Sequence, residues 1–182
     1  MTINRREAAQ LSGASPTTVK KALDQRVIPV KRSGSRHGIE IADVPVLTML
    51  GELTEMRLAL KHKRRVRAWL HSPKPTRELQ LAPALILRRV DTVEQARRRA
   101  ERYARLRAKW IASDPDIKGG EPVIKGSRVS VHTLADRIAT GEDPVILAED
   151  FPHIPAEARE VALQYARANP RRGRPKRHTA GR

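Results

Sequence analysis

Thr17, Thr18, Lys20 and Lys21 crowd into a single short stretch of the chain. Hydroxyl and ammonium groups at that density suit hydrogen bonds to nucleic-acid phosphates and base edges. A second group, Lys31, Arg32, Arg36 and His37, falls in the segment KRSGSRH, where cations would meet a phosphate backbone. A third lies in NPRRGRPKRHTAGR, with Arg171, Arg172, Arg174, Lys176 and Arg177. Guanidinium groups there suit either a narrow A·T minor groove or a cluster of carboxylates. Catalytic chemistry is poorly supplied. The histidines, His37, His62, His71, His132, His153 and His178, show no metal-ligand spacing. His132 and His153 sit beside helix starts, where they cap or pack. Asp114 and Asp116 bracket Pro115 and precede Gly119-Gly120, a pattern of turn and cap residues rather than a working carboxylate pair. Those glycines lack the Lys-Ser/Thr of a phosphate loop, no G-x-S-x-G is present, and there is no cysteine. The expectation is a protein that is not an enzyme and holds no metal or cofactor.

The elements that must position the first two groups lie in residues 1–50. Asn4 with Glu7 reads as an N-cap and its reciprocal acid. Ala8, Ala9 and Leu11 follow on a short helix closed by Gly13. Ser15-Pro16 opens a second helix, with Val19, Ala22 and Leu23 as its buried stripe. That leaves Thr17, Thr18, Lys20 and Lys21 outward. Val27–Val30 and Gly38–Ile41 read as two strands flanking KRSGSRH. The whole segment, EAAQLSGASPTTVKKAL followed by VIPV, resembles the winged helix-turn-helix of MerR-like regulators. The resemblance implies duplex DNA as partner, with Lys31, Arg32 and Arg36 on the wing.

Residues 113–168 read as a β-hairpin and three helices. Val123-Ile124 and Val129 with Val131 flank Lys125-Gly126-Ser127. Val131, Leu134, Ala135 and Ile138 share one face of a helix that Gly141 stops. Val145, Ile146 and Leu147 fall in a short helix between Pro144 and Pro152. Ala158, Val161, Ala162, Tyr165 and Ala166 line a third, which opens at Pro155. The spacing of Asp114-Pro115, Gly119-Gly120, Pro122-Val123, Gly126, Arg128 and Val131, then Asp150-Phe151-Pro152, then Glu157-Ala158, Ala162 and Tyr165, resembles a bacterial domain family of unknown function. Ser127 stands for its usual Thr and Phe151 for its usual Tyr. Members are often VapB-like antitoxins encoded beside a PIN-like ribonuclease, and the resemblance implies that role here. The hairpin edges are natural pairing sites for a second copy, so a homodimer is expected.

Between these regions, residues 51–112 form a basic connecting region. Asp43 is placed to cap a helix carrying Val46, Leu47 and Leu50, with Gly51 as a break. Residues 52–70 read as helical and strongly basic. Leu79 and Leu81 suggest a strand, and Leu85–Leu87 either a second strand or a helical turn. Asp91 with Glu94 forms a capping box before a long helix whose stripe is Val93, Ala96, Ala100, Tyr103 and Trp110. KHKRRVR and ARRRAER are either solvated helix faces or phosphate-binding surfaces.

The net charge of +17 points to a polyanionic partner, and its distribution says where. Residues 1–42 carry +5, residues 43–112 carry +10, residues 113–168 carry −4 and residues 169–182 carry +6. The acidic hairpin module is therefore a poor DNA binder and a better protein-docking surface. Aromatic residues make up only 3% of the chain, too few to stack single-stranded RNA. The basic tail, 169–182, has almost nothing apolar to bury and reads as disordered. Its Arg172-Gly173-Arg174-Pro175 resembles an AT-hook. Toxin carboxylates and no specific ligand remain the other two readings of it. With no cysteine and no apolar run long enough for a signal or a membrane span, the expected location is the cytoplasm. The sequence thus predicts a mainly α protein with small β elements. It comprises a winged helix-turn-helix, a basic helical middle, a hairpin–three-helix module and a basic tail. The expected function is an antitoxin that neutralises a PIN-like ribonuclease and represses its own operon. The alternative is a DNA-binding regulator without a toxin partner.

Overall fold

Asn4 starts the first helix, α1 (Arg5–Ser12), through a reciprocal cap. Its Oδ1 accepts from the amides of Arg6 and Glu7 at 2.8 and 2.9 Å, and the Glu7 carboxylate accepts from the Asn4 amide at 2.7 Å. In the computed structural model, residues 1–33, 36–74, 76–116 and 118–171 are described. They are mainly helical with small antiparallel sheets. The chain divides into two compact units, the first Met1–Lys109 and the second beginning at Trp110.

In the first unit Gly13, at φ 72°, ends α1, and Ser15 caps α2 (Pro16–Asp24). The next helix, α3 (Val44–Glu52), lies against both. Thr48 Oγ1 donates to the Ser12 carbonyl at 2.9 Å, so α3 holds the turn between α1 and α2. Helix α3 ends at Glu52, one residue beyond the break that the sequence places at Gly51. An added Cβ there would come within 3.3 Å of the Ala14 Cβ, so the glycine serves close packing against the turn. Asp43 occupies the N-cap position without capping. Its side chain is fully buried, and Oδ1 accepts from Arg67 Nε and faces His71 Nε2, each at 2.8 Å.

The sheet of this unit runs β1 (Thr2–Ile3), β3 (Arg36–Glu40), β2 (Lys31–Ser33), antiparallel throughout. Both strands sit nearer the turn than the sequence predicts. Val27 and Ile28 are core residues whose amides donate to the Ala22 carbonyl at 2.9 and 3.2 Å, and so cannot also join a ladder. Pro29 has no N–H to offer. Gly38 is required by close approach, since a Cβ would lie 2.8 Å from the Thr2 Cβ.

Residues 52–70 are not one helix. A 3-10 turn at Thr54–Met56 ends on Arg57, at φ 46°, and α4 runs only over Leu60–Leu70. A hairpin follows, β4 (Glu78–Ala82) with β5 (Leu85–Arg88). Arg65 donates to the carbonyls of Leu81 and Gln80, at 2.9 and 2.7 Å, tying α4 to β4. Helix α5 (Asp91–Trp110) buries Val93, Ala96, Ala100, Tyr103 and Leu106. Trp110, expected in that stripe, packs in the second unit instead. The Glu94 carboxylate pairs with Arg89 and Arg97, in place of the expected capping box. Two residues of α5 reach back to α1: the Tyr103 hydroxyl donates to Glu7 Oε1, and Arg107 Nη1 lies 2.9 Å from the same oxygen. Glu7 is only 2% exposed.

In the second unit the turn at Lys125–Ser127 forms as expected, but its second arm is no strand. On that arm Val123 bridges Ser130, and the Ile124 amide donates to the Val129 carbonyl at 2.9 Å. The strand β7 (Val123–Ile124) pairs on its other side with β6 (Ile111–Ala112). One of the hairpin edges expected to await a second copy is therefore occupied within the chain. Three helices follow: α6 (Val131–Ala139), α7 (Pro144–Asp150) and α8 (Ala156–Ala168). Ser130 caps α6, Gly141 at φ 80° lies beyond its end, and Pro155 opens α8. Ile124, Val131, Leu134, Leu147, Ile154, Ala158, Ala162 and Tyr165 form the core. The small Ala158 and Ala162 let α8 approach α6 closely.

Removing the Glu7 side chain would take one buried acceptor from Tyr103, Arg107 and the Asn4 amide together. Glu7→Ala should therefore destabilise the first unit by about 3 kcal/mol. Thermal unfolding of the whole chain, followed by Trp69 fluorescence in a Trp110→Phe background, would measure it. A shift no larger than that of an exposed-site substitution would refute the structural weight given to this carboxylate.

Candidate nucleic-acid interface

Helix α2 has one buried face, Val19, Ala22 and Leu23, and one exposed face bearing Thr17, Lys20 and Lys21. The cap dictates this division. With Ser15 Oγ accepting from the Thr18 amide at 3.1 Å, the helix starts at Pro16 and its apolar stripe falls inward. Thr18 departs from the sequence reading. It is half-buried, and its hydroxyl lies 3.0 Å from Ser15 Oγ, so it completes the cap. Lys31 and Arg32 are exposed on β2, and Lys31 pairs with Glu40 at 3.5 Å. Arg36 lies on β3, and its side chain is outside the described residues, as are Arg172, Arg174, Lys176 and Arg177.

One neighbour of α2 could not be anticipated. Lys63 Nζ on α4 donates to Gln25 Oε1 at 2.9 Å, just beyond the last residue of α2. With Arg65 bonded to β4 and Arg67 to Asp43, three cations of the basic middle have structural roles. Lys61 and Arg64 remain exposed on the same helix. The spacing alone could not separate the two kinds, because the acceptors lie far away in sequence.

The second unit is organised around Arg137. Its guanidinium holds the Glu142 carboxylate through two nitrogens, bonds Asp150, and stands 5.0 Å from the centre of the Phe151 ring. One side chain thereby fixes the loop before α7 and the end of α7. This explains Asp150 and Phe151, two positions the sequence singled out without a reason. The bonds to Glu142 and Asp150 raise the Arg137 pKa, and the Arg137 bond lowers that of Glu142. Helix α7 then exposes Val145 and Ile146, the large apolar side chains most open to solvent among the described residues of this unit. Arg171, expected to reach toward a partner, contacts its own unit: Nη2 lies 3.2 Å from Thr133 Oγ1 and 3.4 Å from Asp136 Oδ2. Asp114 Oδ1 accepts from the Asp116 amide at 3.0 Å, which makes this pair a turn. No group of His, Asp and Glu side chains among the described residues could hold a metal ion, and no described helix is long and apolar enough to cross a membrane.

His132 is buried beside the Tyr165 ring, 6.5 Å between centroids. Burial, then the Arg171 charge, lowers its pKa from 6.5, against Glu121 and Asp136. The fold therefore favours the neutral ring. As pH falls through about 6.5, the unfolded chain takes up a proton that the folded one resists, so the second unit should lose stability. Glu142, depressed from 4.5, acts only at lower pH. Melting read by Trp110 in a Trp69→Phe background should thus fall between neutral pH and pH 5, and His132→Gln should flatten that slope. An unchanged slope in the variant would assign the dependence elsewhere.

Comparison with known proteins adds two findings. Residues 111–166 match the family model described as "Protein of unknown function (DUF433)". The chain is 30% identical to "Uncharacterized protein y4eO" of Sinorhizobium fredii (strain NBRC 101917 / NGR234), over 92% of this chain and 81% of that protein. No solved structure matches the chain.

Proposed function

The chain belongs to the family of the Sinorhizobium fredii protein y4eO, and we propose that it is a DNA-binding antitoxin. In this reading the first unit is a winged helix-turn-helix that lays α2 in the major groove, and Lys31 and Arg32 touch the backbone from the wing. The observation that carries it is the outward face of α2. A capped helix with Thr17, Lys20 and Lys21 exposed, on a unit of strongly basic charge, has the side chains and field that duplex DNA requires. Two copies would place two such helices over two half-sites.

The second unit is proposed as the docking module for a PIN-like ribonuclease. Its support is the resemblance of residues 113–168 to an antitoxin-associated family, together with acidic charge and the apolar pair Val145-Ile146 on α7. Repression of the operon would follow from DNA binding by the complex. A regulator without a toxin is the second reading. It is favoured by Arg171, whose contacts with Thr133 and Asp136 keep it within the chain.

Binding to duplex DNA from upstream of its own gene should be strongly salt-dependent. Lys20→Ala with Lys21→Ala should weaken it and lower the log–log salt slope by about 2, at roughly 0.9 for each phosphate no longer neutralised. Fluorescence anisotropy across a salt series measures both quantities. Wild-type affinity and slope in the double variant would remove α2 from the interface. Co-expression with the adjacent reading frame decides between the two readings: an antitoxin rescues growth from that protein's toxicity, and a plain regulator does not.

A further inference from the structure

The hairpin of β4 and β5 has two outer edges, and the chain treats them differently. One bond fixes which backbone groups point outward. The Arg89 amide donates to the Arg77 carbonyl at 3.0 Å, so these residues form a hydrogen-bonded pair just beyond the registered strands. Bonded and non-bonded pairs alternate along an antiparallel ladder. Leu79 and Leu87 are therefore bonded to each other, while Glu78 with Arg88 and Gln80 with Ile86 turn their amides and carbonyls outward.

The β4 edge is closed. Its ladder is irregular between Gln80 and Ala82, and Arg65 occupies the Gln80 and Leu81 carbonyls from α4. Bulges and charged side chains are devices by which proteins block strand addition. The β5 edge has neither. Its sequence, Leu-Ile-Leu-Arg, contains no proline or glycine, and no described residue outside the hairpin bonds the Ile86 or Arg88 backbone. Its one cation is held across the hairpin, with Arg88 Nε 2.8 Å from Glu78 Oε1. Ile86 stands beside this edge 52% exposed. The other outer strands are charged or very short: β2 is Lys-Arg-Ser, and β1 and β6 have two residues each.

We propose that β5 pairs antiparallel with β5 of a second copy of this chain, about a twofold axis at Leu87, joining the two hairpins into one sheet. In that register Ile86 of each copy faces Arg88 of the other, and every outward amide and carbonyl of the two residues finds a partner. The edge specifies this occupant, because outward groups placed symmetrically about one residue are their own complement under a twofold axis. The charges agree. Each Arg88 meets an isoleucine, along which its methylene stem can lie, while its guanidinium stays with Glu78. The shifted register that sets Arg88 against Arg88 is disfavoured by like charge. A strand of 4 residues covers little beside the roughly 1,200 Å² of a stable interface, so the free dimer is weak and a duplex holding two copies would strengthen it. The proposal supplies the contact between copies that the helix-turn-helix reading calls for, and rests on that reading only for the use of the dimer.

The chain contains no cysteine, which makes disulfide trapping specific. Ile86→Cys and Arg88→Cys, made in separate full-length chains and mixed under mild oxidation, should cross-link to each other. Residues opposed in a bonded pair lie about 5.5 Å apart at Cα, within disulfide reach. Either variant alone should cross-link several-fold less, since its cysteines would sit diagonally at about 7–8 Å. Sedimentation equilibrium of the full chain should show monomer–dimer exchange in the micromolar range, and Ile86→Pro should weaken it about tenfold or more. Proline removes the outward amide and leaves the ladder to β4 intact, which circular dichroism checks. Three results overturn the proposal: a wild-type chain that stays monomeric at hundreds of micromolar, a folded Ile86→Pro variant that dimerises as wild type does, or cross-linking no greater in the mixture than in either variant alone. All are measured without DNA. Failure here leaves the effect of Lys20→Ala with Lys21→Ala on duplex binding as the separate test of the helix-turn-helix reading.

Discussion

The first unit depends on a carboxylate almost withdrawn from water. Glu7 accepts from the Asn4 amide, the Tyr103 hydroxyl and the Arg107 guanidinium at once. The first bond starts α1, and the other two attach a helix almost a hundred residues further along. A buried acid is tolerated only when its lone pairs are met by donors and its charge by a cation, and Glu7 has both. The cap and the long-range anchor are consequently one structure. The orientation of α1, and through Thr48 that of the turn leading to α2, follows from it.

A similar arrangement runs through the second unit with the sign reversed. Arg137 satisfies Glu142 and Asp150 while lying over Phe151, so one cation organises an acidic segment of small helices. Charge is thus divided by task. Some cations are turned inward onto carbonyls and acids: Arg65, Arg67, Arg107 and Arg137. Others face outward, as on α2. The net charge of the chain overstates what is available to a partner, and the excess is concentrated on a few surfaces.

Local chemistry made much of this legible from sequence. Asn4 with Glu7, Ser15 with Pro16, and Gly13 and Gly141 marked helix ends correctly, because caps and left-handed residues act within a few positions. The outward face of α2 followed from its apolar stripe. Where the reading failed, a distant partner had overridden a local preference. Ile111-Ala112 continues a helical pattern yet leaves it to pair with Val123-Ile124. Val27 and Ile28 look like a strand, but their amides close the end of α2. Asp43 looks like a cap and is claimed by Arg67 and His71. Glu94 likewise pairs with arginines instead of its own helix end. Along the chain, cations bonded to distant carbonyls look the same as cations in solvent, so the basic middle stayed ambiguous.

The contact between Gly38 and Thr2 has a consequence for strand alignment. β1 is only two residues long, too short for alternating polarity to specify its register against β3. Thr2 packs where Gly38 offers no Cβ, and a slip of one residue would bring His37 or Ile39, each with a Cβ, into that space. The glycine thereby excludes misaligned pairings that the apolar pattern would not distinguish. β3 is set in register against β1 by steric exclusion rather than by attraction.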